Sequence, residues 1–439
     1  MSARRGCGGA GAWVAAWVLL AAAGAAAAPK EALPEPEPRA LEDLLGGPGF
    51  WETAPAAFAE TGAPYGFRWT SSAQDSARSA YPKLTYLELP VVEAVLWFAT
   101  NGVREAALSL YNRGDVGVLT RTEFEERLNR AVAQINRAAN VRPIAREIRG
   151  ANRVPKKLMV WNAPALTYTL EWSATSREGQ FQGEYVRLTL APPQKQAALS
   201  TGTAAVSAFA MSGKALEKTP EGDVYIKGVP MVDQGPKGYC AVAATERVLR
   251  YFGTAVDQHQ LAQLANTQQG TSPEALKAAL QRISLALRIK FTELEDFSVK
   301  DFLKIVDDYN LVARRRDVEP IRLPQWGVIE IGSVFSRMNP EVFKESRLRN
   351  AAHVKRFTER VRQQVDKRIP LVWSVMLGLV PEPGLPQVSG GHIRLIIGYN
   401  VKTREVLYTD SWGAGHELKR MPLDDAYTIT VGLFSIEPR

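Results

Sequence analysis

The chain has 439 residues, 46% of them hydrophobic, and a formal net charge of +8. That length suits two or three globular domains with real cores. The charge is mild for the length, no nucleic-acid-binding module accompanies it, and a solvated basic surface accounts for it.

Residues 1–28 read as a secretory signal. Arg4 and Arg5 form a basic start, Ala10 to Leu20 an apolar centre, and the alanines up to Ala28 offer small-residue cleavage sites. No other stretch is apolar and long enough to span a bilayer, so the product is expected to be exported, with no membrane association once the signal is gone. The two cysteines are Cys7 and Cys240. Cys7 leaves with the signal, and a lone thiol forms no internal disulfide. Such a thiol in an exported protein is an oxidation liability unless it is buried or used.

Residues 29–40 are Pro/Glu-rich and read as a linker. Residues 41–193 follow as an α+β unit. Leu84 to Leu89 is strand-like, and Val91 to Phe98 is either strand or helix. Ala106 to Tyr111 alternates, and Asn112 to Asp115 has turn composition. Thr122 to Ala138 is an amphipathic helix with the stripe Phe124, Leu128, Val132 and Ile135, with Thr122 as cap and Glu125 completing a capping box. Lys157 to Trp161, Leu166 to Trp172 and Tyr185 to Leu190 alternate as antiparallel strands do. This unit has no histidine, no cysteine and no grouped carboxylates, which leaves it open as a substrate- or partner-binding part, a pro-region or a spacer.

Residues 194–223 are weakly periodic and read as a second linker. Residues 224–439 form a second unit. A helix starts at Ser272-Pro273, a short one spans Asp301 to Asp308, and an amphipathic one spans Ala352 to Lys367, with His353 as a solvated or capping residue at its start. Ala313 to Trp326 is basic and turn-rich, as a surface insertion is. Strands are expected at Leu371 to Val380, Ile393 to Asn400, Arg404 to Thr409 and Tyr427 to Ile436.

The chemistry gathers in this second unit. Gly235, Pro236 and Gly238 break regular structure just before Cys240. After it, Ala241, Ala244, Val248, Leu249 and Phe252 recur at helical spacing up to Gly253. A sulfur at a helix start sits over the positive end of the dipole, which favours the thiolate that attacks carbon. Gln234, six residues upstream, is close enough to offer an amide N–H to the same place.

His392 opens one expected strand and Asp410 closes the next. The point midway between them falls at residue 401, in the turn joining the two strands, so the hairpin sets them side by side. A carboxylate beside an imidazole fixes its tautomer and supports the imidazolium. The roles that follow are Cys240 as nucleophile, His392 as proton acceptor and donor, Asp410 as its orienter, and Gln234 with the Cys240 N–H as oxyanion donors.

Gln234-Gly, Cys240, Gly-His392 and Asp410-Ser-Trp-Gly413, in that order, resemble the papain-like cysteine peptidases, and most closely the bacterial group related to bacteriocin-leader peptidases. The resemblance spans about Val229 to Ile436. It implies a helical subdomain carrying the cysteine, packed on an antiparallel half-barrel carrying the histidine. The fold class is therefore α+β, with a papain-like second unit preceded by a separate α+β unit. The chain departs from papain in having Ala241 where papain has tryptophan, and in lacking disulfides.

Each residue alone has a bland reading: His392 as a satisfied strand-end histidine, Asp410 and Gln234 as loop polars, Trp412 as packing over the pair. His416 follows two glycines in a loop, and His259 sits in a Gln-rich helical stretch. One mature cysteine and scattered histidines give no metal-ligand spacing, and no cofactor is implied. Three functions stay open: a thiol hydrolase cutting peptide or isopeptide bonds, a transglutaminase-type thiol acyltransferase, and an inactive papain-like binding protein. The glutamine before the cysteine favours the first.

Overall fold

The computed structural model describes residues 36–47, 49–148, 156–177, 179–193, 216–235, 239–254, 258–265, 273–287, 289–295, 298–324 and 329–438. The expected signal and most of both expected linkers lie outside those residues.

In the first half the alternating segments pair as one antiparallel sheet of eight strands. They are β1 (Arg68–Trp69), β2 (Ser76–Ser79), β3 (Glu93–Ala99), β4 (Gly102–Asn112), β5 (Ile144–Ile148), β6 (Lys156–Asn162), β7 (Thr167–Arg177) and β8 (Gln180–Ala191), in the order β1-β2-β3-β4-β8-β7-β6-β5. Three short strands (Arg39–Ala40, Leu84–Tyr86, Leu89–Val91) form a small sheet beside it. The expected strand Leu84 to Leu89 is in fact a hairpin. Leu87 and Glu88 both have positive φ, the geometry of a tight two-residue turn. Of Val91 to Phe98, Glu93 to Phe98 is strand, in β3, while Val91 ends the hairpin of the small sheet.

The amphipathic helix runs over Arg121–Ala139 and buries Phe124, Ala131, Ile135 and Ala139 against β6 to β8. Its capping box is Thr120 with Glu123, not Thr122 with Glu125. Both pairs have the same spacing, and the earlier one wins by adding two residues of helix. Asn112 to Asp115 is also more regular than a turn: the Asn112 Oδ1 accepts from the Gly114 N–H at 2.8 Å and caps the single-turn helix Arg113–Val116.

The second half builds another antiparallel sheet from β9 (Leu216–Lys218), β10 (Asp223–Ile226), β11 (Ile289–Glu295), β12 (Leu371–Leu377), β13 (Gly390–Asn400), β14 (Glu405–Thr409), β15 (Lys419–Pro422) and β16 (Thr430–Pro438). The order is β9-β10-β13-β12-β16-β11, with β14 and β15 added along the other edge of β13. β13 is long enough to hold β12 and then β10 on one edge and β14 on the other, which curves the sheet into a half-barrel. Because β9 and β10 belong to this sheet, the unit reaches back to Leu216, earlier than the expected boundary at residue 224.

Helices at Cys240–Tyr251, Gln258–Ala265, Pro273–Leu287, Val299–Arg315, Pro340–Leu348 and Ala351–Asp366 accompany the sheet. The expected short helix at Asp301 is twice as long. Ser298 caps it and Asp301 completes the box, and it runs on through Val312 and Ala313, both buried. The expected surface insertion from Ala313 therefore begins inside this helix, with Ala313 buried; Trp326 lies outside the described residues. The expected strand from Tyr427 begins at Thr430, because Leu423–Ile429 is a helix. Asn350, not His353, caps the helix that His353 enters. Among the described residues no helix is long and apolar enough to cross a membrane.

Two hydrophobic clusters fill the molecule, one among residues 41–190 and one among residues 226–436. The two units also touch. Ala106, Leu108 and Leu110 of β4 face the first cluster, while Ala107 and Ser109 face a small cavity whose far wall is Glu246 and Arg250 of the cysteine helix. Arg250 sits over the Trp97 ring at 5.7 Å, Gln260 donates to Glu171 at 3.0 Å and Gln263 to Ser173 at 2.8 Å. With a sheet on either side, every residue from Ala241 to Leu249 is buried.

Candidate active site

Cys240 is the first residue of its helix, follows Tyr239 at the N-cap, and carries a free, half-buried thiol. Gln234 is buried on the incoming loop, and Ser411 fixes it twice. The Gln234 N–H donates to the Ser411 carbonyl at 2.8 Å, and the Ser411 hydroxyl donates to the Gln234 Oε1 at 2.7 Å. With the amide oxygen held, its nitrogen remains as the free donor end. Gly235, next in the chain, has φ +65°, the left-handed region that favours glycine. Residues 236–238 lie outside the described residues.

The pair His392–Asp410 forms as expected, by a different register. The hairpin turn is Val401 to Arg404, with Asn400 opposite Glu405, and a bulge follows between Ile396 and Gly398. Leu395 faces Thr409, so the residue opposite Asp410 one step on is Arg394, and His392 is its diagonal neighbour. Long side chains on the diagonal still meet. The His392 Nε2 and Asp410 Oδ1 are 2.7 Å apart, and both side chains are fully buried. With Nε2 bound to the carboxylate, Nδ1 is the nitrogen left to work. It has no hydrogen-bond partner among the described residues, and the Cys240 side chain is close enough to raise the ring's pKa.

Trp412 lies flat on His392, with ring centroids 4.1 Å apart and planes 8° from parallel. This is the packing role expected of it. His416 is no rival to His392: its ring stands edge-on to Trp412 at 5.6 Å, and its carbonyl accepts from the Asp410 N–H at 2.9 Å and the Thr409 hydroxyl at 3.0 Å. The side chain of His259 lies outside the described residues.

Burial alone pulls an imidazole toward its neutral form. Here the hydrogen bond to Asp410, the nearness of the Cys240 side chain and the charge of both outweigh that, and His392 is held above its ordinary value. Burial likewise pushes Asp410 up, but the His392 hydrogen bond and charge, then Arg394, hold it below the usual carboxylate range. The Arg394 Nε lies 3.2 Å from the Asp410 Oδ2, near enough for charge though out of line for a hydrogen bond, and its other end binds Glu382 at 2.8 Å.

Arg247, on the cysteine helix, ties the two halves of the site together. Its guanidinium donates to the Pro230 carbonyl at 2.8 Å, the Asp410 carbonyl at 2.7 Å and the Thr409 hydroxyl at 2.6 Å. Burial with no carboxylate in contact pulls it down to about 10, despite the charge of Asp410.

Three residues of the site thus escaped the sequence reading: Ser411, Arg394 and Arg247. Two had a signal. Arg394 is a charge inside an apolar strand, where burial requires a partner. Arg247 lies seven residues after Cys240, two helical turns down the same face. Among the described residues no group of His, Cys, Asp or Glu is arranged to hold a metal ion.

Residues 228–313 match the model of the Peptidase C39 family. The resemblance to C39-type cysteine peptidases therefore holds. The matched stretch contains Gln234 and Cys240 and stops short of His392 and Asp410, so the C39-like assignment of those two stands on geometry. Among solved structures, the chain is similar to Xylellain, a cysteine protease from Xylella fastidiosa, at 13% identity, covering 55% of this chain and 92% of that one with a TM-score of 0.26. That superposition is too loose to carry site residues across. Comparison with curated proteins returns no match.

Proposed function

We propose that this chain is an exported thiol peptidase that hydrolyses peptide or isopeptide bonds through Cys240, His392 and Asp410, with Gln234 and the Cys240 N–H as oxyanion donors. The single observation that carries it is the buried imidazole bound to Asp410 through Nε2, with Nδ1 unpartnered among the described residues and the Cys240 side chain, at a helix start, close enough to raise the ring's pKa. His392 Nδ1 takes the thiol proton. The sulfur attacks the carbonyl carbon, a C–S bond forms, and the π electrons move to oxygen, where two N–H donors meet them. As the oxyanion collapses, the C–N bond breaks and His392 returns its proton to the leaving amine. Water, deprotonated by the same nitrogen, then cleaves the thioester and regenerates the thiol. Each oxyanion donor is worth about 3 kcal/mol in sites of this kind.

Incubation of Cys240→Ala with a peptide library, read by mass spectrometry, tests the reading. The expected result is complete loss of every cleavage seen with the wild type, at unchanged melting temperature; surviving cleavages would assign the chemistry elsewhere. Export rests on Arg4, Arg5 and the apolar run after them. The released protein is expected to begin within a few residues of Pro29, and recovery of the extracellular chain with Met1 intact would contradict it.

A further inference from the structure

The loop bearing Gln234 is not held by the second unit alone. At its start, the Asp233 Oδ1 accepts from the Gly235 N–H at 2.8 Å, and its Oδ2 lies 3.7 Å from the Arg78 Nη1. Arg78 comes from β2 of the first unit, is buried, and is anchored by a 2.7 Å ion pair with Glu93 of β3, also buried. Its guanidinium lies directly against the Cα of Gly235, where a Cβ would overlap both terminal nitrogens. Its Nη2 is buried there without a hydrogen-bond partner among the described residues. A buried cation of this kind is kept only where its neighbours require it.

At the end of the loop the first unit reaches in again. The Tyr239 hydroxyl donates to the Asn112 Oδ1 at 3.2 Å and rests on Gly114, where a Cβ would collide with it. Tyr239 is the residue immediately before the nucleophile. A third contact closes the ring: Gly413, just after Trp412, lies between the Asp233 carboxylate and the Thr70 carbonyl of the first unit.

Resting on the thiol-peptidase reading, we propose that the first unit supplies positioning residues for the oxyanion hole: Arg78 holds Asp233 to Gly235, Asn112 holds Tyr239, and together they set where the Gln234 amide and the Cys240 N–H point. The first unit is then a working part of the peptidase. Neither residue touches the substrate, and each acts through the loop.

Two reagents separate this role from a merely structural one. A peptide aldehyde forms a hemithioacetal with the thiolate: a C–S bond forms and the carbonyl electrons move to oxygen, so its affinity depends on the oxyanion donors. Iodoacetamide loses iodide from a saturated carbon and builds no oxyanion, so its rate reads only the thiolate beside His392. With a panel of acetyl-dipeptide aldehydes on the full chain, Arg78→Ala is expected to weaken binding about 10- to 100-fold, the cost of a misplacement near 1 Å. Its alkylation rate stays near wild type, and Arg78→Lys recovers part of the loss. Tyr239→Phe, which removes one hydroxyl, keeps the proposal testable should Arg78→Ala not fold; it too is expected to lose aldehyde affinity and keep alkylation. Equal falls in both readouts, or no change in either, would overturn the proposal. Failure of the wild type itself to bind any aldehyde would instead bring down the thiol-peptidase reading, and this inference with it.

Discussion

Asp410 is the residue on which the site's charges turn. It meets His392 through one oxygen, Arg394 through the other, and receives Arg247 on its backbone carbonyl. His392 is held above its ordinary value, which favours the protonated form that can give a proton to a leaving amine. A raised histidine contributes stability that is present below its unfolded value and lost as pH rises through the folded one; the depressed Asp410 contributes stability that is lost as pH falls through its own lowered value. Asp410→Asn removes the hydrogen-bonded charge and leaves burial acting on the imidazole. The alkaline limb of kcat/KM is therefore expected to move to lower pH in that variant. A limb that stays in place would mean that Asp410 does not set the charge state of His392.

At the scale of elements, the cysteine helix and the β13–β14 hairpin must stay in register, and Arg247 is the bolt between them. Arg247→Met keeps the length and apolar stem but takes the donor from three acceptors, two of them buried, each costing about 1 kcal/mol or more when unpaired. Urea unfolding is expected to show a loss of about 3 kcal/mol at unchanged m-value; an unchanged midpoint would show that the clamp does not hold the elements together. The hairpin also shows how far sequence carries. The spacing of His392 and Asp410 placed them on neighbouring strands because antiparallel pairing is fixed by the turn. It missed the register, because neither the turn's true ends nor the bulge at Ile396 is written in hydrophobic pattern. Helical period around Cys240 was legible from Ala241, Ala244, Val248 and Leu249. The burial of Glu246 was not, since it comes from the first unit's sheet packed on the helix's outer face.

In the whole molecule, distant stretches of chain converge on one site. Gln234 and the helix start at Cys240, the pair from β13 and the end of β14, and Arg78 and Asn112 of the first half, which hold Asp233 and Tyr239, come together there. The first unit has no histidine, no cysteine and no carboxylates grouped in its sequence, and that hid this, because a residue that acts through a loop need carry no chemistry of its own. The account stands on Cys240 and His392 sharing a proton within that convergence. The measurement that tests it most directly is the rate of iodoacetamide alkylation of Cys240 at neutral pH, in the wild type and in His392→Ala, against free glutathione. The account predicts a wild-type thiol faster than glutathione and a variant that loses the advantage. A wild-type rate no faster than glutathione's, or one indifferent to His392→Ala, would contradict it.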